Sequence, residues 1–341
     1  MSNSPHSDTS AYFAPLLPWQ GQAWAQVTHQ FYADKLPHAL LASGAVGIGK
    51  RAFVWRFVAW LLCENRGEQG ACETCASCIW LKAGTHPDLM VLPAGSMLGA
   101  EIATDNHIKI DDVRALQDYS HVKGHGVRLI VLDNADTLTL GASNALLKTL
   151  EEPRHGVHLL LISDSPSRLL PTIKSRVQAL PLTHIDRAVA LDYLQVHLSP
   201  EHQTHASMLL NLADGAVLLA CELPQKSWFA QRGLWVKTLN ALRRGIRPPI
   251  VACDYWQTLI PLDEFVALSR LMFADVVRVY LGLPSLHDDL NVAELLQDTT
   301  PIALDNVEQF VAVLDDVAVS LGQNVQDKLA YEMLMTQMAR L

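Results

Sequence analysis

Five short apolar runs punctuate the first half of the chain: HALLAS (38–43), DLMVL (88–92), VRLIVLD (127–133), VHLLLIS (157–163) and VQALPL (177–182). Unbroken apolar character over such lengths is the pattern of strands buried on both faces. Between the runs the apolar spacing becomes helical, as in RAFVWRFVAWLLC (51–63) and DDVRALQDYS (111–120). Strands alternating with helices imply right-handed crossovers, so the expected class is α/β, a parallel sheet with helices on both sides. Ligands of such sheets bind at the carboxyl ends of the strands, where residue 44 onward, Asp133 and Ser163 all fall.

After Leu182 no strand-like run follows. DRAVALDYLQVHL and QTHASMLLNLADGAVLLACEL predict a small helical section that ends near LPQKS (223–227). EFVALSRLMFADVVRVYLGL and NVEQFVAVLDDVAVSLGQNVQDKLAYEMLMTQMARL continue the helical spacing to Leu341, as a helical bundle would. Three parts are expected: 1–182, 183–225 and 226–341. Only the first dozen residues read as disordered.

Composition narrows the class. Half of the 341 residues are hydrophobic, yet no apolar run approaches the roughly 20 residues that a membrane helix needs. The start, MSNSPHSDTSAYFAPLLP, has neither the basic nor the apolar segment of a secretory signal, so the expected location is the cytoplasm. The net charge of −9 disfavours DNA contact by this chain alone. LRRGIRPP (242–249) is the densest basic patch, and three arginines are too few to claim DNA binding.

Candidate chemistry begins at SGAVGIGKRAF (43–53). Gly44, Gly47, Gly49 and Lys50 fit the phosphate-binding G-x-x-x-x-G-K-[ST] at seven of its positions, and a strand-to-helix turn there would present backbone N–H groups to phosphate. Glycine turns also precede helices that bind nothing. Hydrolysis needs more: a Ser or Thr hydroxyl on Mg²⁺ and an acidic pair after a later strand. Arg51 stands in place of the hydroxyl. Asp133 suits the first acidic position, but Asn134 follows it and cannot act as a base near neutral pH. Two departures argue against turnover, while nucleotide binding without turnover stays open.

Four of six cysteines crowd together as C-x8-C-x2-C-x2-C: Cys63, Cys72, Cys75 and Cys78. Four thiolates can close a tetrahedral shell around Zn²⁺, and Gly67 and Gly70 let the chain fold back to bring Cys63 to the others. The competing reading is four reduced thiols packed as small apolar groups. With no open coordination position and no acid or base in the cluster, zinc here would be structural. His86, in THPD, suits a turn entering the second strand better than a ligand position.

Longer words then become recognisable. GASNALLKTLEEP (141–153), SPSRLLPTIKSR (165–176) and AGTHPDLMVL (83–92) resemble the bacterial clamp-loader family, strongly over residues 16–182 and beyond only by pattern. The resemblance implies an AAA+ module, a helical lid, and a C-terminal collar domain in a ring of five subunits. The spacing of the cysteines resembles that family's inserted zinc module.

By the same resemblance the chain is a non-hydrolysing member, standing beside gamma or tau motor subunits and the delta subunit, and helping to open a sliding clamp on primed DNA. Motor subunits carry an intact GK[ST] and an acidic pair. In the lid, Leu218 occupies the place of a second phosphate-sensing arginine. KSR (174–176) matches the family's serine–arginine motif, which makes Arg176 a trans-acting arginine finger. The bland reading of Arg176 is a surface arginine at a helix end, and Arg168 is a weaker candidate for contact with a neighbour's nucleotide or DNA. Lys148, Glu151 and Glu152 are placed to touch DNA, an adjoining subunit or only solvent, with solvent the expectation for any one of them. Two other functions stay on the table: an autonomous ATPase using Lys50 and Asp133, and a zinc-dependent nucleic-acid-binding module.

Overall fold

The computed structural model describes residues 9–93, 107–121, 126–296, 302–321 and 326–341. The chain divides into two compact units, Met1–Ala190 and Leu191–Leu341. The first contains α1 (Gly21–Tyr32), β1 (Ala39–Ser43), α2 (Lys50–Leu62), α3 (Ala76–Lys82), β2 (Leu89–Leu92), α4 (Ile110–His121), β3 (Arg128–Leu132), α5 (Leu140–Glu151), β4 (Val157–Ser163), α6 (Pro171–Lys174) and β5 (Gln178–Ala179).

The strands form one parallel sheet in the order β2-β3-β4-β1-β5. Side chains alternate across it, as the period of two demands. Ala39, Leu41, Ile130, Leu132, Leu159 and Leu161 share one core with Val113 and Leu116 of α4 and Leu146 and Leu150 of α5. α2 packs on β1 and β4 and buries Phe53, Val54, Phe57 and Val58. Each such side chain contributes about 1.5–3 kcal/mol on burial. This is the parallel α/β arrangement that the alternating runs predict, with β1, β4 and β3 as neighbours.

The strand boundaries agree within a residue except at the fifth. β5 is only Gln178–Ala179 rather than 177–182, because Pro181 has no N–H to donate and Leu182 N bonds back to Leu180 O at 2.9 Å. The start also needs correcting. Thr9–Tyr12 form a 3₁₀ turn, and the Tyr12 ring meets Trp55 edge-on at 5.6 Å; residues 1–8 lie outside the described residues.

α7 (Arg187–His197) runs into the second unit, which continues with α8 (Pro200–Gln203), α9 (Ala206–Leu212), α10 (Val217–Glu222), α11 (Arg232–Arg243), α12 (Pro249–Leu259), α13 (Leu262–Tyr280), α14 (Val292–Leu296), α15 (Leu304–Ser320) and α16 (Asp327–Met338). Asp214 and Gly215, both at positive φ, split the apolar pattern between α9 and α10. The core is aromatic: Trp256, Phe265 and Tyr331 meet in series as tilted pairs at 5.0 and 5.2 Å, and Phe273 meets Phe310 edge-on at 4.6 Å. Their polar tips are satisfied, as burial requires: Trp256 donates to Thr238, Trp235 to Ser269 and Tyr331 to the Ile260 carbonyl.

The segment after α13 ties this unit together. His287 and Asp275, both with fully buried side chains, pair at 2.6 Å. Asp288 pairs with His205 at 2.7 Å beside α9, and its amide reaches the Met208 sulfur. Asp289 takes a two-pronged contact from Arg232 of α11 at 2.6 and 3.1 Å. Among the described residues no single helix is long and apolar enough to cross a membrane.

Candidate functional site

The glycine turn leaves β1 as the sequence requires. Gly44, Gly47 and Gly49 have φ of 140°, 89° and 88°, which side-chain-bearing residues rarely adopt. At Gly44 a Cβ would lie 2.5 Å from Ile48 Cδ1. The turn is braced from the chain before α1: Trp19 Nε1 donates to Ile48 O at 2.9 Å, and the buried Gln20 side chain donates to Gly49 O at 2.8 Å.

Lys50 opens α2 but is nearly enclosed, at 2% side-chain exposure. Its ammonium donates to Ala45 O at 2.9 Å and pairs with Asp164, the residue just past β4. Arg51, one residue on, gathers the adjoining strand ends. Its Nε donates to Asp133 Oδ1 at 2.9 Å, its Nη1 and Nη2 to the two Asp164 oxygens at 3.2 and 2.9 Å, and Nη2 also to Asn134 Oδ1.

A guanidinium thus sits among the side chains that would hold or orient a metal ion in a hydrolysing site. Burial works to raise the Asp164 carboxyl, but the bonds from Arg51 and Lys50 outweigh it and hold it below the ordinary carboxylate value. Burial pulls the Lys50 ammonium below its ordinary value, with Asp164 opposing. Asp136 is satisfied separately, by Ser163 Oγ and by the amides of Asp164 and Ser165 at 2.8 and 3.0 Å. Two cations already face three carboxylates without any ligand. A triphosphate entering here would have to displace Asp164 from Lys50.

The four cysteines converge. Cys63 ends α2, Cys75 caps α3, and Cys78 lies in its first turn. All four Sγ atoms fall within 4.8 Å of one another, with Cys63–Cys75 at 3.9 Å and Cys72–Cys78 at 4.0 Å. A tetrahedron with Zn–S bonds of about 2.3 Å has edges of roughly 3.8 Å, so this donor set fits zinc. The Cys72 and Cys75 amides point at Cys63 and Cys72 sulfurs at 3.2 and 3.4 Å. Hydrogen bonds from the backbone of Thr74 and Cys75 lower the Cys72 thiol to about 6, whereas burial raises Cys63 and Cys78. The return loop is pinned by Trp60 Nε1 on Gly67 O at 2.7 Å and Trp24 Nε1 on Glu68 O at 2.9 Å. His86 is engaged elsewhere. Ser77 gives its one hydrogen to Leu62 O at 2.7 Å, so His86 Nε2 donates to Ser77 at 2.6 Å while Nδ1 accepts from the Asp88 amide.

Arg176 follows α6 and is about one third exposed. Its Nη2 pairs with Glu151 Oε1 at 2.7 Å, and its Nη1 donates to Thr172 O at 3.0 Å. Glu151, for which solvent is the favoured expectation, is engaged within the chain. Arg168, Lys148 and Glu152 are exposed, and Leu218 lies half-buried in α10.

Sequence reasoning missed Asp164 and Asp136. Both lie in plain view in the segments after β4 and β3, but only strand adjacency brings positions 133, 136 and 164 to one place. A carboxylate directly after a buried strand, opposite a P-loop that carries an extra arginine, was the available signal.

The family described as DNA polymerase III, delta subunit matches residues 19–186. The chain is 38% identical over 340 residues to DNA polymerase III subunit delta' of Pseudomonas aeruginosa, which covers 96% of this chain and 98% of that protein. To DNA polymerase III subunit delta' of Bacillus subtilis it is 30% identical over 321 residues, 89% of this chain and 92% of the relative. DNA polymerase III subunit tau of Escherichia coli aligns over 226 residues at 29% identity, 61% of this chain but 33% of its own length. With 38% identity to the Pseudomonas aeruginosa relative across 96% of its length, the chain belongs to the DNA polymerase III subunit delta' family.

Proposed function

We propose that this chain is a non-hydrolysing stator of a DNA polymerase III clamp loader, built as an AAA+ domain (1–182), a helical lid (183–225) and a collar domain (226–341). It joins gamma/tau and delta subunits in a five-membered ring that opens a sliding clamp on primed DNA. Its own contribution to ATP use is Arg176, placed against the γ-phosphate of a neighbouring ATPase subunit. A fixed guanidinium there stabilises transition-state charge only when the ring is assembled, which couples hydrolysis to geometry. Cys63, Cys72, Cys75 and Cys78 hold a structural zinc that closes the loop between α2 and α3.

The observation that carries this reading is the Arg51 guanidinium bonded to Asp133, Asn134 and Asp164. It supplies positive charge but no hydroxyl and no open coordination site. A motor-like reading draws on Gly44–Lys50 and on the likeness to tau; it requires Lys50 to leave Asp164 for phosphate.

Steady-state ATP hydrolysis by the purified chain, and by the loader reconstituted with and without it, tests the proposal. No turnover alone, and loader activity that collapses with Arg176→Ala while assembly persists, is the expected result. Brisk hydrolysis by the isolated chain overturns the stator reading. Unchanged loader turnover in Arg176→Ala at saturating ATP removes the finger.

A further inference from the structure

We infer that Glu151 is a positioning residue for Arg176: its carboxylate fixes the direction in which the guanidinium is presented across the subunit boundary. The inference rests on the arginine-finger reading above and extends it to a second residue, on another helix.

The guanidinium is held from two elements at once. Glu151, the last residue of α5, accepts from Nη2 at 2.7 Å, and the Thr172 carbonyl of α6 accepts from Nη1 at 3.0 Å. Ser175 Oγ lies 3.4 Å from Nη1 as a weaker third partner. Two acceptors on the two terminal nitrogens set both the position and the plane of the fork. A free arginine would have to lose its rotamer freedom on meeting the phosphate, and this one has lost it beforehand.

The clamp is one-sided. The Arg176 side chain keeps about a third of its surface exposed, and a guanidinium carries five N–H donors, so donors remain for a phosphate without breaking the Glu151 bond. α5 supplies the carboxylate from a rigid place: Ala142, Leu146 and Leu150 are buried in the sheet core, and the Thr139 side chain caps the helix start at Ala142 N. A displacement of α5 against the sheet would therefore reach the finger directly.

As an exposed ion pair, Glu151–Arg176 adds little to stability. That separates a positioning role from a structural one. In the reconstituted loader, Glu151→Ala is expected to lower kcat for ATP about fivefold with KM changed less than about twofold, and to leave thermal unfolding of the chain in place. Glu151→Gln keeps the acceptor oxygen and should retain most of the activity. In the Arg176→Ala background, Glu151→Ala should do nothing further. In the free chain, ¹⁵N relaxation of the Arg176 side chain should show faster motion in Glu151→Ala than in wild type.

Each other outcome is decisive. If Arg176→Ala lowers turnover but Glu151→Ala leaves both kcat and the side-chain relaxation unchanged, Glu151 does not position the finger and the finger reading survives. An equal loss from Glu151→Ala with or without Arg176 means that Glu151 acts by another route. If Arg176→Ala itself changes nothing, the finger reading falls and this inference with it.

Discussion

Arg51 reaches Asp133 across the carboxyl ends of two strands that are not neighbours, at 2.9 Å from Nε to Oδ1, while its other nitrogens take both oxygens of Asp164, just past the strand between them. The guanidinium is the fastener of the β1, β3 and β4 ends, in the position where bound metal and phosphate would draw those ends together.

Arg51→Ala is therefore expected to loosen the sheet ends rather than to create an ATPase. Asp133, at about 5% residue exposure, would lose its guanidinium partner. The cost should be about 2 kcal/mol, moderated because Lys50 still holds Asp164. Amide hydrogen exchange at Leu129–Leu132 reads it; protection equal to wild type would show that the fastener is dispensable.

Gln20→Ala should destabilise the turn from its other side. The side chain is 1% exposed and bonds both Gly49 O and the Leu17 amide at 2.8 and 3.1 Å. The Leu17 amide would lose its partner and Gly49 O would keep only the Phe53 amide at 3.1 Å, a loss of about 1–3 kcal/mol. Chemical denaturation of the variant beside wild type, followed by intrinsic tryptophan fluorescence, gives the number.

For the thiolate cage, elemental analysis should find one zinc per chain, absent from the Cys75→Ser/Cys78→Ser double variant. Zinc equally abundant in the double variant would dismiss the assignment. Because ligation requires thiolates, acidification should release the metal and raising the pH should restore it. Chelation should expose Trp60 and Trp24, whose indoles hold the loop at Gly67 and Glu68.

Asp275 gives the second unit an acid limit. Burial alone would raise its carboxyl, but donation from His287, Ser285 and the Leu286 amide at 2.6, 2.7 and 2.7 Å lowers it below the ordinary carboxylate value. A carboxylate depressed in the folded state binds fewer protons there than when unfolded. Its contribution is present in full above its unfolded value of about 3.9 and is lost as pH falls through the lower folded value. Asp275→Asn should flatten that acid limb in a series of melts across pH; an unchanged acid limb would assign it to other carboxylates.

Much of this was legible in the sequence because it is local. Strand runs, the glycine turn, the cysteine spacing and the words around Arg176 are each read within a dozen or so residues. Arg51 was visible as a departure, but what it does was not, since Asp164 lies 113 positions away and only the parallel register of β1 with β4 brings it near. The Glu151 contact escapes for the same reason: an exposed glutamate at a helix end carries no mark that an arginine beyond β4 and α6 will meet it. The apolar run 177–182 overstates the fifth strand, because Pro181 within it ends the ladder.

The ties of His287, Asp288 and Asp289 bear on how this protein can be cut. Helices α8–α10 look in sequence like a detachable insert ending before Lys226, yet His205 and Met208 at their centre are fastened to a segment more than seventy residues downstream. A fragment stopped near residue 225 would leave that apolar and ionic seam facing water, so recombinant pieces should be bounded before α7 and carried through to the chain terminus.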